Sequence, residues 1–169
     1  MVGKNRTDLT WRDGVAVGLI AYICVAVFYS AFDFLAARGS LFTVDLLGKA
    51  VFKGLRDPAV LEYPIELDTV AIFWYNAVHL VVSLLIGLIA VRVVAQAERE
   101  PRQRFLVMLV VTAGFFVTVF GVGALTGSFR TVLPWWSIVV ANGFSMATAA
   151  VYLIPKTPNL GPGVPEGVT

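Results

Sequence analysis

The sequence predicts an all-α integral membrane protein: four transmembrane helices, with an amphipathic interfacial helix in the first extracytoplasmic loop. Three observations lead there. The chain of 169 residues is 58% hydrophobic and only 14% charged, where a soluble domain is usually about 45–50% apolar and about 25% charged. Its mean hydropathy is +0.81. Four apolar segments are each long enough to cross a bilayer, which takes roughly 20 residues. Backbone in lipid must satisfy its own hydrogen bonds, so the spans are helices, and the period-two alternation of a β-barrel is absent.

Residues 1–13, opening "MVGKNRTDLTWRD", form a polar N-terminal segment. The apolar run that follows is too long for a signal-peptide core and lacks a clear small-residue cleavage site, so it is expected to stay as a span. The membrane domain covers 14–154, with spans at about 14–37, 68–94, 105–126 and 132–154. Residues 155–169, with four prolines and three glycines in "PKTPNLGPGVPEGVT", form a tail expected to be extended and mobile on its own.

Orientation follows from positive residues near the spans. Lys4, Arg6, Arg12, Arg92, Arg99, Arg102, Arg104 and Lys156 fall on one side; Arg38, Lys49, Lys53, Arg56 and Arg130 fall on the other. The bias places both termini in the cytoplasm. In topology the chain is similar to four-span bacterial membrane proteins, a likeness that carries no site residues. It implies a multi-pass protein of the bacterial cytoplasmic (inner) membrane. Trp11 and Tyr152 suit the inner interface and Trp135 and Trp136 the outer one, where amphipathic rings favour the headgroup depth.

The loop after the first span holds the amphipathic helix, at about 41–56. Asp45, Lys49, Lys53 and Arg56 recur every three or four residues and share a face, opposite Leu47, Val51 and Leu55. The charged face is a candidate surface for docking a partner. The plainer reading, preferred here, is a lid over the ends of the bundle. Pro58 ends this element, and Pro64 with Glu62, Glu66 and Asp68 gives an extended, acidic return to the membrane.

Small and polar residues let helices associate in lipid, where no hydrophobic force drives them together. Asn76, His79, Ser83 and Gly87 make such a stripe on the second span, continued by Ala90. Gly114, Thr118 and Gly121 make one on the third, and Asn142 and Ser145 one on the fourth. These are the expected packing faces, within a four-helix bundle or against another subunit.

Ionisable residues at membrane depth are functional candidates, and here they are few. Asp33 is near the outer end of the first span, within reach of Arg38. There is no carboxylate relay of the kind a pump needs, no pair of aspartates at membrane depth, and no nucleophile beside a base. Cys24 stands alone, so it has no intramolecular disulfide partner and no zinc-ligand spacing. A net charge of +2 without a basic cluster argues against nucleic acid as a partner.

His79, the one histidine, admits several roles. As an axial ligand it would hold a pigment or haem, with Met108 and Met146 poorly placed in depth to supply a second ligand. It would equally touch a quinone or lipid. The preferred reading is a hydrogen-bonding clip to another helix, Asn142 being the natural acceptor. Two function classes follow. The first is a non-catalytic accessory or structural subunit of a larger membrane complex, most readily an energy-transducing one, respiratory or photosynthetic, with membrane lipids and other membrane subunits as partners. The alternative is a stand-alone small transporter or membrane enzyme for a lipid-like substrate, with His79 as its acid–base group.

Overall fold

The structure, a computed structural model, describes residues 9–55 and 66–157. Its long elements are α1 (Trp11–Leu35), α2 (Phe42–Phe52), α3 (Thr69–Arg99), α4 (Arg104–Leu125) and α5 (Trp135–Leu153), with no strand among the described residues. Single 3₁₀ turns lie at Pro101–Gln103, Gly127–Phe129 and Ile154–Lys156. Four of the helices are long and apolar enough to cross a membrane, so the chain reads as a multi-pass membrane protein. Arg56, Pro58, Glu62, Pro64, Lys4, Arg6 and the tail beyond Thr157 lie outside the described residues.

The helix ends follow from local chemistry. The α1 helix starts at Trp11, three residues before the expected span, because Thr10 and Asp13 cap it: the Thr10 backbone N–H and hydroxyl both donate to Asp13 Oδ2 at 2.8 Å. It ends in a left-handed residue, Ala37, at φ 54°, with the Arg38 N–H bonded back to the Asp33 carbonyl. The α3 helix is capped by Asp68, whose carboxylate accepts from the N–H groups of Val70 and Ala71. It continues to Arg99, beyond the expected 94. The α5 helix starts at Trp135 rather than 132, since Pro134 takes an extended conformation and serves as its N-cap.

The α1 helix is the centre of the bundle and packs along both α3 and α5. Its seam with α3 is set by three glycines. A Cβ on Gly18 would stand 2.6 Å from the Leu84 Cα, and one on Gly87 would run into the backbone of Gly14 and Gly18. The two backbones therefore touch, as small residues allow in membrane helices. The α4 helix only grazes α3 and α5.

The α2 helix closes one end of the bundle. Phe42, Leu46, Leu47 and Ala50 form a buried cluster with Phe129 and Leu133 from the turn between α4 and α5, with Tyr29 and Tyr75 packed against it. Gly48 seats α2 on α3, where a Cβ would meet the Ala71 carbonyl at 2.6 Å. The expected polarity of this helix is corrected here. The row beginning with Asp45 is not an open charged face, because Asp45 is fully buried while Val51, from the opposite row, is 46% exposed. The bundle end offers Asp45 better partners than solvent does.

Candidate functional site

Two buried carboxylates organise the end of the bundle capped by α2. Asp33 of α1 accepts from the backbone N–H of Thr43 at 2.6 Å and from its hydroxyl at 2.7 Å, and pairs with Arg38 at 3.2 Å. It thus satisfies an N–H in the first turn of α2 that the helix cannot satisfy itself. Arg38 also donates to the Val132 carbonyl and lies over the Phe32 and Phe42 rings. One ion pair therefore ties α1, α2 and the turn before α5. Asp45 accepts from Lys49 at 2.6 Å and from the Asp68 backbone N–H at 2.8 Å. Lys49 also reaches the Glu66 carbonyl, and Lys53 pairs with Asp68 at 3.0 Å. The Asp68 carboxyl sits below the usual carboxylate range, held there first by the Ala71 N–H and next by Lys53. The opposite end has its own tie: Asp13 binds Lys156 and accepts from the Tyr152 hydroxyl at 3.0 Å.

Beside the Asp33 tie, a cleft of about 90 Å³ runs between α1, α2 and α3. Ser40 and Leu41, both exposed, stand at its rim; Tyr29, Ser30, Tyr75, Asn76 and His79 line it with Asp33. His79 packs on the rings of Tyr22 and Tyr75, with centroids 5.2 Å and 6.0 Å away. Asn76 is engaged on both sides of its amide: Tyr22 donates to Oδ1 at 3.0 Å, and Nδ2 donates to the Ile72 carbonyl.

The expected clip between His79 and Asn142 does not form. Asn142 turns back on its own helix and donates to the Ile138 carbonyl at 2.8 Å. It lies on α5, which packs against α1. As a pigment or haem ligand His79 would have no second axial histidine in this chain. Among the described residues no group of three or more His, Cys, Asp or Glu is arranged to hold a metal. Cys24 is a buried thiol.

The other expected packing residues divide. Ser83 and Gly87 are buried at the α1 seam, and Ser145 is buried on α5. Gly114 and Gly121 meet nothing: a Cβ on either would have no atom within 4 Å. Thr118 between them donates to the Gly114 carbonyl at 2.9 Å within its own helix. The structure thus brings Asn76, His79, Ser83 and Gly87 against α1, and leaves the α4 stripe outside the bundle. Of the docking set, Asp45 is buried, Lys49 is nearly so, and Lys53 remains open.

Several organising residues escaped the sequence reading. Gly14 and Gly18 had a signal, the small-xxx-small spacing in "GVAVG". Thr43 as the partner of Asp33 had none, because it depends on how the turn after α1 folds back, and Asp13 as the partner of Tyr152 and Lys156 had none, because these residues lie far apart in the chain. Comparison with known proteins gives no match to a family, to a curated protein or to a solved structure.

Proposed function

We propose that this chain is a non-catalytic accessory or structural subunit of a larger membrane complex. Its setting would be the bacterial cytoplasmic membrane with both termini inside, following the distribution of Lys and Arg. An energy-transducing complex, respiratory or photosynthetic, is the kind proposed. The observation that carries the reading is the α4 face of Gly114 and Gly121, at neither of which a Cβ would meet an atom within 4 Å. A glycine face in lipid gains little from acyl chains. Against another helix it permits close backbone approach and the dispersion contacts that drive association in membranes. The rest of α4 fits this: Phe116, Val117 and Phe120 are all at least half exposed.

The test is extraction of native membranes in mild detergent, a native gel, and mass spectrometry of the band. Co-migration with a large complex is expected, and the identity of that complex names the function. A small band holding one or two copies of this chain overturns the reading.

The alternative, a stand-alone transporter or enzyme acting through His79, draws on the polar cleft at that residue. The carboxylate beside His79 in that cleft, Asp33, is already engaged by Thr43 and Arg38, so this reading stands second.

A further inference from the structure

The cleft carries an inference independent of α4. Three of the side chains lining it, the Ser30 hydroxyl, the Tyr75 hydroxyl and the His79 imidazole, make no hydrogen bond to any described residue. Each is at least half covered by protein. Their neighbours are engaged: Asp33 with Thr43 and Arg38, Asn76 with Tyr22 and Ile72. Their polar atoms are open to the cleft and not sealed in the protein, so the cleft has to supply their partners, and the cost of leaving such groups without any is greatest inside a membrane. A chance orphan is explicable singly. Three around one cavity, which opens beside the exposed Ser40, point to a shared ligand.

From these groups and this volume we infer that the cleft is a binding site for a short file of water molecules leading from the α2 end of the bundle to His79. Water fits on two counts. In a lining that is otherwise largely apolar, Ser30, Asp33, Tyr75, Asn76 and His79 bring several polar partners together, and the size exceeds what one water needs while falling short of the cavities that take benzene. His79 lies ten residues inside α3 from Thr69, a depth of about 15 Å at 1.5 Å per residue, and so near the middle of a hydrocarbon layer about 30 Å thick. The file gives a mid-membrane imidazole contact with solvent on one side only. Around His79 are Tyr22, packed on its ring, Tyr29 and Asp33 from α1, the latter paired with Arg38, and Tyr75 from α3. No titratable group of α2 lines the cleft. Proton exchange at His79 is then governed by the aqueous phase at the α2 end.

Because His79 is the only histidine, histidine labelled with ¹⁵N gives one imidazole and one backbone amide to observe. The full chain in lipid bilayers is studied by water-edited solid-state NMR. The imidazole signal is expected to build up from water several-fold faster than the backbone amide of the same residue, which is bonded within α3. Ser30→Leu, filling the cleft, is expected to abolish that difference. Ser30→Ala, which keeps the space open, is expected to retain most of it and guards against a misfolded Leu variant. Equal build-up at imidazole and amide in the wild-type protein, or fast imidazole build-up that persists in a folded Ser30→Leu protein, overturns the inference.

Discussion

Two helices of this molecule carry small residues on one face, and the two faces meet different surroundings. On α1, Gly14 and Gly18 lie against Gly87 so closely that no side chain fits between the backbones. On α4, Gly114 and Gly121 have nothing within 4 Å of a Cβ position. The contrast extends past the glycines. The α1 side of the molecule is fastened at both ends, by Asp13 with Tyr152 and Lys156 and by Asp33 with Thr43 and Arg38. The contacts of α4 with its neighbours are slight. A glycine stripe in a membrane helix thus marks an approach surface without saying whose.

The contrast yields graded expectations. The largest effect belongs to the α1–α3 seam. Gly87→Val forces the side chain against the α1 backbone, and overpacking of this kind costs about 1–3 kcal/mol, here expected at the upper end. Gly121→Val should stay within about 1 kcal/mol, as exposed substitutions do. Reversible unfolding in mixed micelles measures both, and equal losses would erase the distinction between the two faces.

Next comes the buried pair. Asp33→Ala leaves Arg38 and the Thr43 N–H without their partner, and breaking a buried ion pair on one side costs about 3 kcal/mol. Asp33→Asn keeps an acceptor for Thr43 and should lose less. An Ala variant as stable as the wild type would mean that α2 is held by its apolar cluster alone.

A smaller effect is expected from Asp68. Its folded-state carboxyl titrates below the unfolded value, so its contribution is present above the unfolded pKa of about 3.9. It is lost as pH falls through the lower folded value. Thermal unfolding of the wild type followed from pH 6 down to pH 3 should weaken more steeply than that of Asp68→Asn. Parallel curves would show that the cap of α3 does not depend on charge.

A small effect is also expected at His79. It makes no hydrogen bond to a described residue and packs on Tyr22 and Tyr75, so His79→Phe should change stability by less than about 1.5 kcal/mol, as near-isosteric swaps do. A larger loss would restore a clip between helices.

The sequence made the four spans legible to within a few residues, because apolar length is a property of each segment alone. Gly87 on the stripe of α3 was legible for the same reason, and "GVAVG" on α1 was open to the same reading. The partners of α2 were not. Its charged row recurs with helical spacing, but periodicity says only that Asp45, Lys49 and Lys53 share a side. It does not say that Asp45 at the head of this row turns inward, to the Asp68 N–H. Asn142 shows the same limit. A polar residue in a span needs a partner, and the carbonyl of Ile138, four residues back, satisfies it as well as another helix would. His79 ends beside a cleft because Tyr22, fifty-four residues from Asn76 in sequence, takes the amide next to it.

The α4 face is tested by one comparison: native-gel migration of the wild type beside Gly114→Leu/Gly121→Leu, both extracted from native membranes, with thermal unfolding measured on each. The account predicts a wild type within a large complex and a double variant released from it as a small band that unfolds at the wild-type temperature. A double variant that stays in the complex, or a wild type that runs as one or two copies, would contradict it.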